Sequence, residues 1–255
     1  MNRLSMDVSR TRLGLRLSQH GVVLSELRTT PGPTHSVFDV LAALAVVLAP
    51  ADRFGLLGFA GGGMMAPLRF LGVPGRVETV DLDATGHRLF RRHCRAWAGG
   101  VAWERGDAVD WLRSRRGRFD LLVEDLSIPQ DGDVVKPEVS WRVLPALIRD
   151  RLQPGGCAVF NLLRPVDESW AAGLRRVGEG FRETRVIHLD EFENRILVGG
   201  EALPAARELG AALRDALRRL RSRQAGRIRV RRGPGGRPLT ARSRGRPPRP
   251  GSRAG

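Results

Sequence analysis

The feature that most constrains the fold is an alternation of strand-like and helical patterns between residues 54 and 162. Short apolar runs, typical of buried strands, occupy 54–58, 76–80, 101–104, 121–124 and 157–162. Helical patterns separate them at 64–71, 85–97, 108–115 and 137–152. Strands that alternate with helices at this spacing are typical of a parallel sheet covered by helices on both faces. The sequence therefore predicts an α/β fold.

Two further segments extend this pattern at its ends. Residues 12–30 alternate apolar and polar positions around Gly21, which predicts short strands joined by a turn. Residues 184–200 predict two strands joined by a polar turn, hence an antiparallel hairpin, and 204–223 predict a helix. We therefore expect a small N-terminal β segment over 1–36 and a main domain over 37–223. The main domain should hold a mostly parallel, seven-stranded sheet that ends in the hairpin.

The positive charge is concentrated at the C-terminal end. Of the formal net charge of +16, the stretch from Arg214 to Gly255 carries +14, from fifteen arginines and one acid, Asp215. The Gly, Pro and Arg composition of residues 224–255 predicts a disordered tail. Such a tail can bind nucleic acid, acidic lipid or a partner, but no aromatic residue follows Phe192 to stack on bases. We favour a solvated extension without a specific role.

Cysteine content and hydropathy predict a cytoplasmic protein. The two cysteines, Cys94 and Cys157, lie in a predicted helix and strand and suggest no disulfide framework. The longest apolar run, residues 41–50, is about half the length of a membrane span, and the N-terminus lacks the apolar core of a signal peptide. His87, His93 and Cys94 share a predicted helix, but no further ligand lies at metal-binding spacing, so we expect no metal.

A glycine run and two acids follow successive predicted strands. Glycines directly after a strand allow a ligand to approach the backbone, although such a cluster is also found in plain tight turns. Asp81 lies at the end of the next strand, at the spacing where a carboxylate meets ribose hydroxyls. Asp107 and the apolar Ala108 follow the third strand, where they can contact an adenine ring. Helix capping is the alternative role for Asp81 and its neighbour Asp83. The combination predicts a pocket for an adenosine moiety.

The runs LLGFAGGG, VETVDLD, GDAVDWL, FDLLVEDLSIP and LQPGGCAVFNLL resemble the class I S-adenosylmethionine-dependent methyltransferase fold. Within it, they are most similar to the spermidine synthase family. The resemblance covers roughly residues 15–200 and implies a Rossmann-like sheet closed by the hairpin at 184–200. It also implies S-adenosylmethionine, or its decarboxylated form, as cofactor and a small molecule as acceptor. A dimer is compatible with the resemblance, and the sequence leaves the oligomeric state open.

The resemblance assigns roles to the adenosine-pocket residues. Asp81 is expected to bind the ribose diol, and Asp107 with Ala108 to bind the adenine. The loop beside the methionine part of the cofactor is expected to consist of Gly58, Ala60, Gly61, Gly62 and Gly63.

The sequence departs from the spermidine synthase pattern in the reaction centre. That family carries an acid inside the glycine loop, where this chain has Gly61. Its second acid after the fourth strand aligns with Ile128, and its tyrosine-containing substrate segment aligns with residues 37–39 in a chain without tyrosine. An isoleucine neither accepts a proton nor holds a cationic polyamine. We therefore expect methyl transfer to a small acceptor rather than aminopropyl transfer.

Methyl transfer needs alignment of the reactants and, where the acceptor is protonated, a general base. Asp125 is the best placed candidate because ligands bind at strand ends of open parallel sheets; helix capping is its alternative role. Weaker candidates for the base are Glu124, Asp131 and Asp133. Asn161 can face the pocket, with a buried hydrogen-bonding role as the favoured alternative, and we expect the polar loop 128–137 to form a lid. Two other hypotheses stay open. One is aminopropyl transfer in polyamine biosynthesis, and the other is a catalytically silent nucleoside-binding protein whose tail recruits nucleic acid.

Overall fold

The computed structural model describes residues 7–19, 21–48, 53–73, 75–130 and 132–234. Its first part is a three-stranded antiparallel sheet of β1 (Asp7–Thr11), β2 (Gly14–Gln19) and β3 (Val22–Arg28). Leu15 and Leu17 on β2, and Leu27 opposite Leu15 on β3, are buried in the main core. One face of this sheet therefore packs on the rest of the protein, as the period of two in a strand requires. The exact boundary of the N-terminal segment stays a prediction.

The remaining elements follow in alternation. They are α1 (Val37–Leu48), β4 (Phe54–Leu57), α2 (Met65–Phe70), β5 (Val77–Asp81), α3 (Ala84–His93), β6 (Val101–Arg105), α4 (Ala108–Ser114), β7 (Phe119–Glu124), β8 (Ile128–Gln130), β9 (Asp133–Val135), α5 (Glu138–Arg142), α6 (Leu144–Asp150), β10 (Leu152–Leu162), α7 (Trp170–Gly178), β11 (Glu183–Leu189), β12 (Arg195–Gly200), α8 (Ala206–Arg219) and β13 (Ile228–Arg232), with one 3-10 turn at Arg223–Gly226.

The central sheet has eight strands in the order β13-β11-β12-β10-β7-β4-β5-β6. The five strands from β10 to β6 are parallel, whereas β12, β11 and β13 pair antiparallel at the other end. The predicted α/β architecture, with a parallel block closed by an antiparallel hairpin, is confirmed. The eighth strand was not predicted from the sequence.

Helices cover both faces of this sheet and form two cores. On β7, Leu121 and Val123 join the core that contains α1 and α8, whereas Leu122 joins the core that contains α4, α6 and α7. Successive side chains of a strand point to opposite faces, so an apolar run is needed wherever both faces are covered. The unbroken apolar runs in the sequence are therefore those of the buried parallel strands.

The prediction of one continuous helix over 137–152 is wrong. The structure has two short helices, α5 and α6, with Val143 between them. Pro145 lies in the first turn of α6, where the missing N–H is tolerated, but it cannot continue a preceding helix. Proline therefore breaks a stripe of apolar residues that otherwise has helical periodicity.

The prediction of a disordered tail is wrong for residues 224–234. Gln224 is fully buried, and its amide donates hydrogen bonds to the carbonyl of His35 (3.0 Å) and to Glu191 (2.8 Å). Strand β13 then pairs with β11 at the sheet edge, and its Ile228 and Val230 pack in the core beneath α8. In β13 only two apolar residues alternate with arginines. This composition is typical of disordered segments, which explains the wrong prediction. The rest of the predicted tail, 235–255, lies outside the described residues.

The segment predicted as a polar lid is ordered as a β8–β9 hairpin. Whether this hairpin opens and closes stays a prediction. None of the helices in the described ranges has both the length and the apolar content required to cross a bilayer.

Candidate active site

Four loops begin side by side at one edge of the central sheet. They follow β4, β5, β6 and β7, which are parallel neighbours and end at the same edge. Backbone hydrogen bonds continue the ladder into these loops: Gly58 N donates to Val80 O (3.0 Å), and Asp125 N donates to Leu57 O (2.8 Å). This edge is where ligands bind in open α/β sheets.

The glycine loop after β4 adopts a conformation that most residues avoid. Gly58, Ala60 and Gly62 have positive φ angles of 87°, 43° and 72°. A Cβ atom at Gly58 would lie 2.6 Å from the backbone oxygen of Asp125, so the two loops touch through their main chains. Gly61 and Gly63 are buried beneath the N-terminal sheet and Phe38. Leu17, Ser25 and Phe38 therefore cover one side of the loop. The part of the loop that stays accessible consists mainly of backbone atoms.

The Asp81 carboxylate binds the glycine loop. Its Oδ2 accepts hydrogen bonds from the backbone N–H groups of Phe59 (2.8 Å) and Ala60 (2.7 Å). Its Oδ1 accepts one from the N–H of Asp83 (3.1 Å). An ionised carboxylate offers about four acceptor positions, so these three bonds leave capacity for one further donor. The Asp81 carboxylate thus has a structural role in the loop in addition to its predicted role in binding ribose.

The two other acids near the predicted adenosine pocket cap helices. Asp83 accepts from Thr85 N (2.9 Å) at the start of α3. Asp107 caps α4 through Oδ1, which accepts from Val109 N (2.8 Å) and Asp110 N (3.1 Å), and its side chain stays exposed. These caps leave Oδ2 of Asp107 available to a donor.

One residue of this region was missed by the sequence analysis. Leu82 directly follows Asp81 and is 65% exposed at the edge of the sheet. Its apolar side chain lies next to the Asp81 carboxylate in the chain. The signal was present in the sequence as the middle residue of DLD, between two carboxylates.

Asp125 is the second carboxylate at this edge. It is half-buried, and its Oδ1 accepts a hydrogen bond from Asn161 Nδ2 (2.7 Å). Asn194, just before β12, donates in turn to Asn161 Oδ1 (2.9 Å). Burial raises the pKa of the Asp125 carboxyl to about 6 from its ordinary 3.8, against the opposing effects of the Lys136 charge and the Asn161 hydrogen bond. Asn161 was among the sequence candidates, whereas Asn194 was missed because only strand pairing brings it here.

The remaining acidic candidates do not present a usable carboxylate to the same space. Glu124 is fully buried and forms an ion pair with Lys136 (2.8 Å), and it also accepts from Ser140 Oγ and the N–H of Leu126. Asp133 is exposed and accepts from Val134 N within the hairpin. Asp131 lies outside the described residues. Glu124 therefore holds the loop after β7 together.

His87 and Cys94, which the sequence analysis considered as metal ligands, contact neighbouring elements of the fold. Among the described residues, no group of three or more His, Cys, Asp or Glu side chains is arranged to hold a metal ion. His87 stacks on Trp103 at a centroid distance of 4.6 Å, and Cys94 Sγ donates to the carbonyl of Arg28 (3.2 Å). These side chains therefore pack between elements.

The central sheet, its crossover helices and its terminal hairpin define a class I methyltransferase fold of the spermidine synthase-like kind. The structure is similar to a probable spermidine synthase from Corynebacterium glutamicum, with a TM-score of 0.67 and 18% identity over 89% of this chain and 87% of that one. It also resembles a spermidine synthase in complex with the transition state analogue AdoDATO, with a TM-score of 0.58 and 13% identity over 78% and 71% of the two chains. Human methyltransferase-like protein 13 in complex with SAH gives a TM-score of 0.53 and 20% identity over 74% and 92%.

Sequence comparison adds no closer relative. No protein-family model matches the chain. No curated protein matches it either. The three structural neighbours are at most 20% identical to this chain, so the likeness shows a shared fold.

Proposed function

We propose that this protein is an S-adenosylmethionine-dependent transferase that methylates a small neutral acceptor. The fold it shares with structures containing SAH or AdoDATO supports the cofactor. The observation that carries the reaction is the half-buried Asp125, whose raised pKa of about 6 suits a general base near neutral pH.

The residues at the sheet edge fit an adenosyl group. The remaining acceptor position of Asp81 suits a ribose hydroxyl, and the exposed Leu82 suits the face of the adenine. Asp107 Oδ2 can accept from an exocyclic amino group, next to the buried Ala108. The backbone of Gly58, against the Asp125 main chain, leaves no side chain between the loop and the methionine part. These residues lie at the ends of three neighbouring strands, β4, β5 and β6, which supports the binding of one extended nucleoside across them.

The cofactor supplies a methyl group on a sulfonium, which is already a strong electrophile. The protein then has to orient the acceptor, exclude water and receive one proton. As the acceptor oxygen or nitrogen bonds to the methyl carbon, the bond from that carbon to sulfur would break and leave S-adenosylhomocysteine, and Asp125 would accept the proton of the acceptor's O–H or N–H group. Asn161 and Asn194 hold the carboxylate in one position through their chain of hydrogen bonds. They are therefore positioning residues in this proposal.

The geometry disfavours aminopropyl transfer as the alternative. A polyamine acceptor needs carboxylate partners for its charged nitrogens, yet Ile128 occupies one of the two positions expected to carry them and is 42% exposed. At the other, a Cβ on Gly61 would lie 3.0 Å from Leu17 Cδ1 and 3.1 Å from Ser25 Oγ, so an acidic side chain there would require both neighbouring side chains to shift. Glu124 cannot substitute because Lys136 already neutralises it.

Calorimetric titration tests this proposal. We expect S-adenosylmethionine and S-adenosylhomocysteine to bind, and both to bind more tightly than decarboxylated S-adenosylmethionine. The variant Asp107→Asn should weaken all of them, and the exposed Asp110→Asn, one turn further along α4, is the matched control. Tighter binding of the decarboxylated form, or spermidine formation from putrescine, would overturn methyl transfer. If none of these nucleosides binds, the transferase assignment is wrong.

A further inference from the structure

A concave site lies away from the glycine loop, on the face of the sheet that α7 covers in part. It is a cavity of about 240 Å³ between α7 and strands β11, β12 and β13, lined by Arg175, Arg195, Arg231, Arg232 and His188 together with apolar residues. We call it the arginine cleft. Strand pairing builds it, since His188 on β11 is paired with Arg195 on β12 and with Arg229 on β13.

The arginine cleft has no negative charge to balance it. No carboxylate is among its lining residues. Within the described part of the chain, Arg175, Arg195, Arg231 and Arg232 form no ion pair, whereas the neighbouring Arg229 is paired with Asp190 (2.6 Å). Guanidinium groups held close together repel one another, and a concave surface concentrates their field. Such a site attracts anions.

An adjoining cavity extends this positive surface. Its volume is about 350 Å³, it shares Arg232 with the arginine cleft, and it adds Arg182, whereas Arg185 in its lining is paired with Glu183 (2.9 Å). The only acid in its lining, Glu183, already accepts hydrogen bonds from Leu203 N (3.1 Å) and Arg185 (2.9 Å). Two cavities that share one arginine suit an extended polyanion better than a single small anion.

The sequence also favours a chain-like ligand. Six more arginines and no acid follow within residues 235–255, directly after the last described residue, Pro234. Positive charge therefore continues along the chain from the cleft.

The chemistry of the cleft selects phosphates rather than bases. No aromatic side chain except the imidazole of His188 lines it. The nearby Trp170 ring is covered by the Arg195 guanidinium, whose Cζ lies 4.4 Å from the ring centroid. Arginine forms bidentate hydrogen bonds with phosphate oxygens. From these observations we infer that the arginine cleft binds the sugar-phosphate backbone of a nucleic acid, without reading its sequence.

Fluorescence anisotropy with a labelled oligothymidylate of about 16 nucleotides, the upper end of the usual site size for one domain, tests this inference on the full chain. The cleft variant Arg175→Gln, Arg231→Gln, Arg232→Gln removes three exposed arginines. The control variant Arg92→Gln, Arg95→Gln, Arg116→Gln removes three exposed arginines elsewhere and gives the same net charge. Both variants keep residues 235–255, so their difference isolates the cleft.

We expect the cleft variant to lose at least tenfold in affinity and the control to stay within about twofold. The plot of log K against log salt should become shallower by about 2 in the cleft variant, because each phosphate contact on a single strand contributes roughly 0.7. Equal losses in both variants would show a general charge effect and overturn the inference. If the triple variant fails to fold, the single variant Arg231→Gln, with an expected slope change of about 0.7, provides the same comparison.

A competition arm separates a strand from a small anion. We expect inorganic phosphate, at the same total phosphate concentration as unlabelled oligothymidylate, to displace the label far less effectively. Equal displacement would identify a single-anion pocket and overturn the inference. None of these measurements depends on transferase activity, so failure of the proposed function leaves their result intact.

Discussion

Asp81 Oδ2 lies 2.7 Å from the backbone nitrogen of Ala60, a non-glycine residue held at a positive φ of 43°. The carboxylate thus fixes the least favourable turn of the glycine loop. The residue that we assign to the ribose is at the same time the residue that shapes the loop.

Asp81→Ala should therefore lower both the thermal stability and the nucleoside affinity. Removing the acceptor orphans the N–H groups of Phe59 and Ala60, and each buried orphan costs about 1–3 kcal/mol. For a chain of this size, each 1 kcal/mol corresponds to a fall in melting temperature of about 2–4 °C. Asp81→Asn keeps an acceptor oxygen and should lose less of both. Differential scanning calorimetry of the unliganded proteins provides the measurement, and an unchanged melting temperature in Asp81→Ala would contradict the bracing role.

The pKa of Asp125 predicts a pH-dependent change in stability. Its folded-state pKa is raised from 3.8 to about 6, so the folded protein binds this proton more tightly than the unfolded chain does. The stabilisation is complete below pH 3.8 and is lost as the pH rises through about 6. We expect Asp125→Asn to raise the melting temperature relative to wild type at pH 8 but not at pH 4. The same variant should abolish methyl transfer if the carboxylate is the base. Equal stability of the two proteins at pH 8 would argue against a buried charge.

Gly58→Ala should be more harmful than the same change at Gly72. The two glycines have nearly equal φ angles, 87° and 86°, so an alanine suffers similar backbone strain at either position. They differ in their surroundings: a Cβ at Gly58 meets the Asp125 main chain at 2.6 Å, whereas none of the surrounding atoms lies within 4 Å at Gly72. We expect Gly72→Ala to cost about 1–2 kcal/mol and Gly58→Ala clearly more, with reduced nucleoside affinity. Urea denaturation of both variants measures the difference, which should vanish if the two loops do not touch.

Lys136→Met should destabilise the protein strongly. It would leave the Glu124 carboxylate fully buried without its counter-charge, at a cost of about 3–5 kcal/mol. The double variant Glu124→Gln, Lys136→Met should recover most of this loss, because no buried charge remains. Arg142→Met is the control, since it breaks only the exposed pair with Glu138 on α5 and should cost less than about 0.5 kcal/mol. A small effect of Lys136→Met in chemical denaturation would contradict the stabilising role of this buried ion pair.

The sequence predicted those parts of the fold that repeat a local pattern. Apolar runs between helical stretches gave the parallel strands, and their common edge followed because parallel strands end together. Asp81, Asp107 and Asp125 could therefore be placed at one edge, while their roles stay predictions. Asp125 and Asn161 are 36 positions apart, and Asn161 and Asn194 are 33 apart. Their contact depends on strand register, which single-residue patterns do not specify.

The same limit explains the errors at the C-terminal end. Arginine at three of the five positions of β13 gives the composition of a solvated segment. Only the pairing with β11 and the packing under α8 order it, and both partners are distant in sequence.

The buried Gln224 side chain has a consequence for how this chain can mature. Its bond to the His35 carbonyl joins residues 189 positions apart, and His35 immediately precedes the segment that leads into α1. During synthesis, this bond cannot form until nearly all of the described chain has left the ribosome. A chain that ended at any point after the glycine loop but before Gln224 would contain every residue of that loop and yet lack this hydrogen bond next to the start of α1.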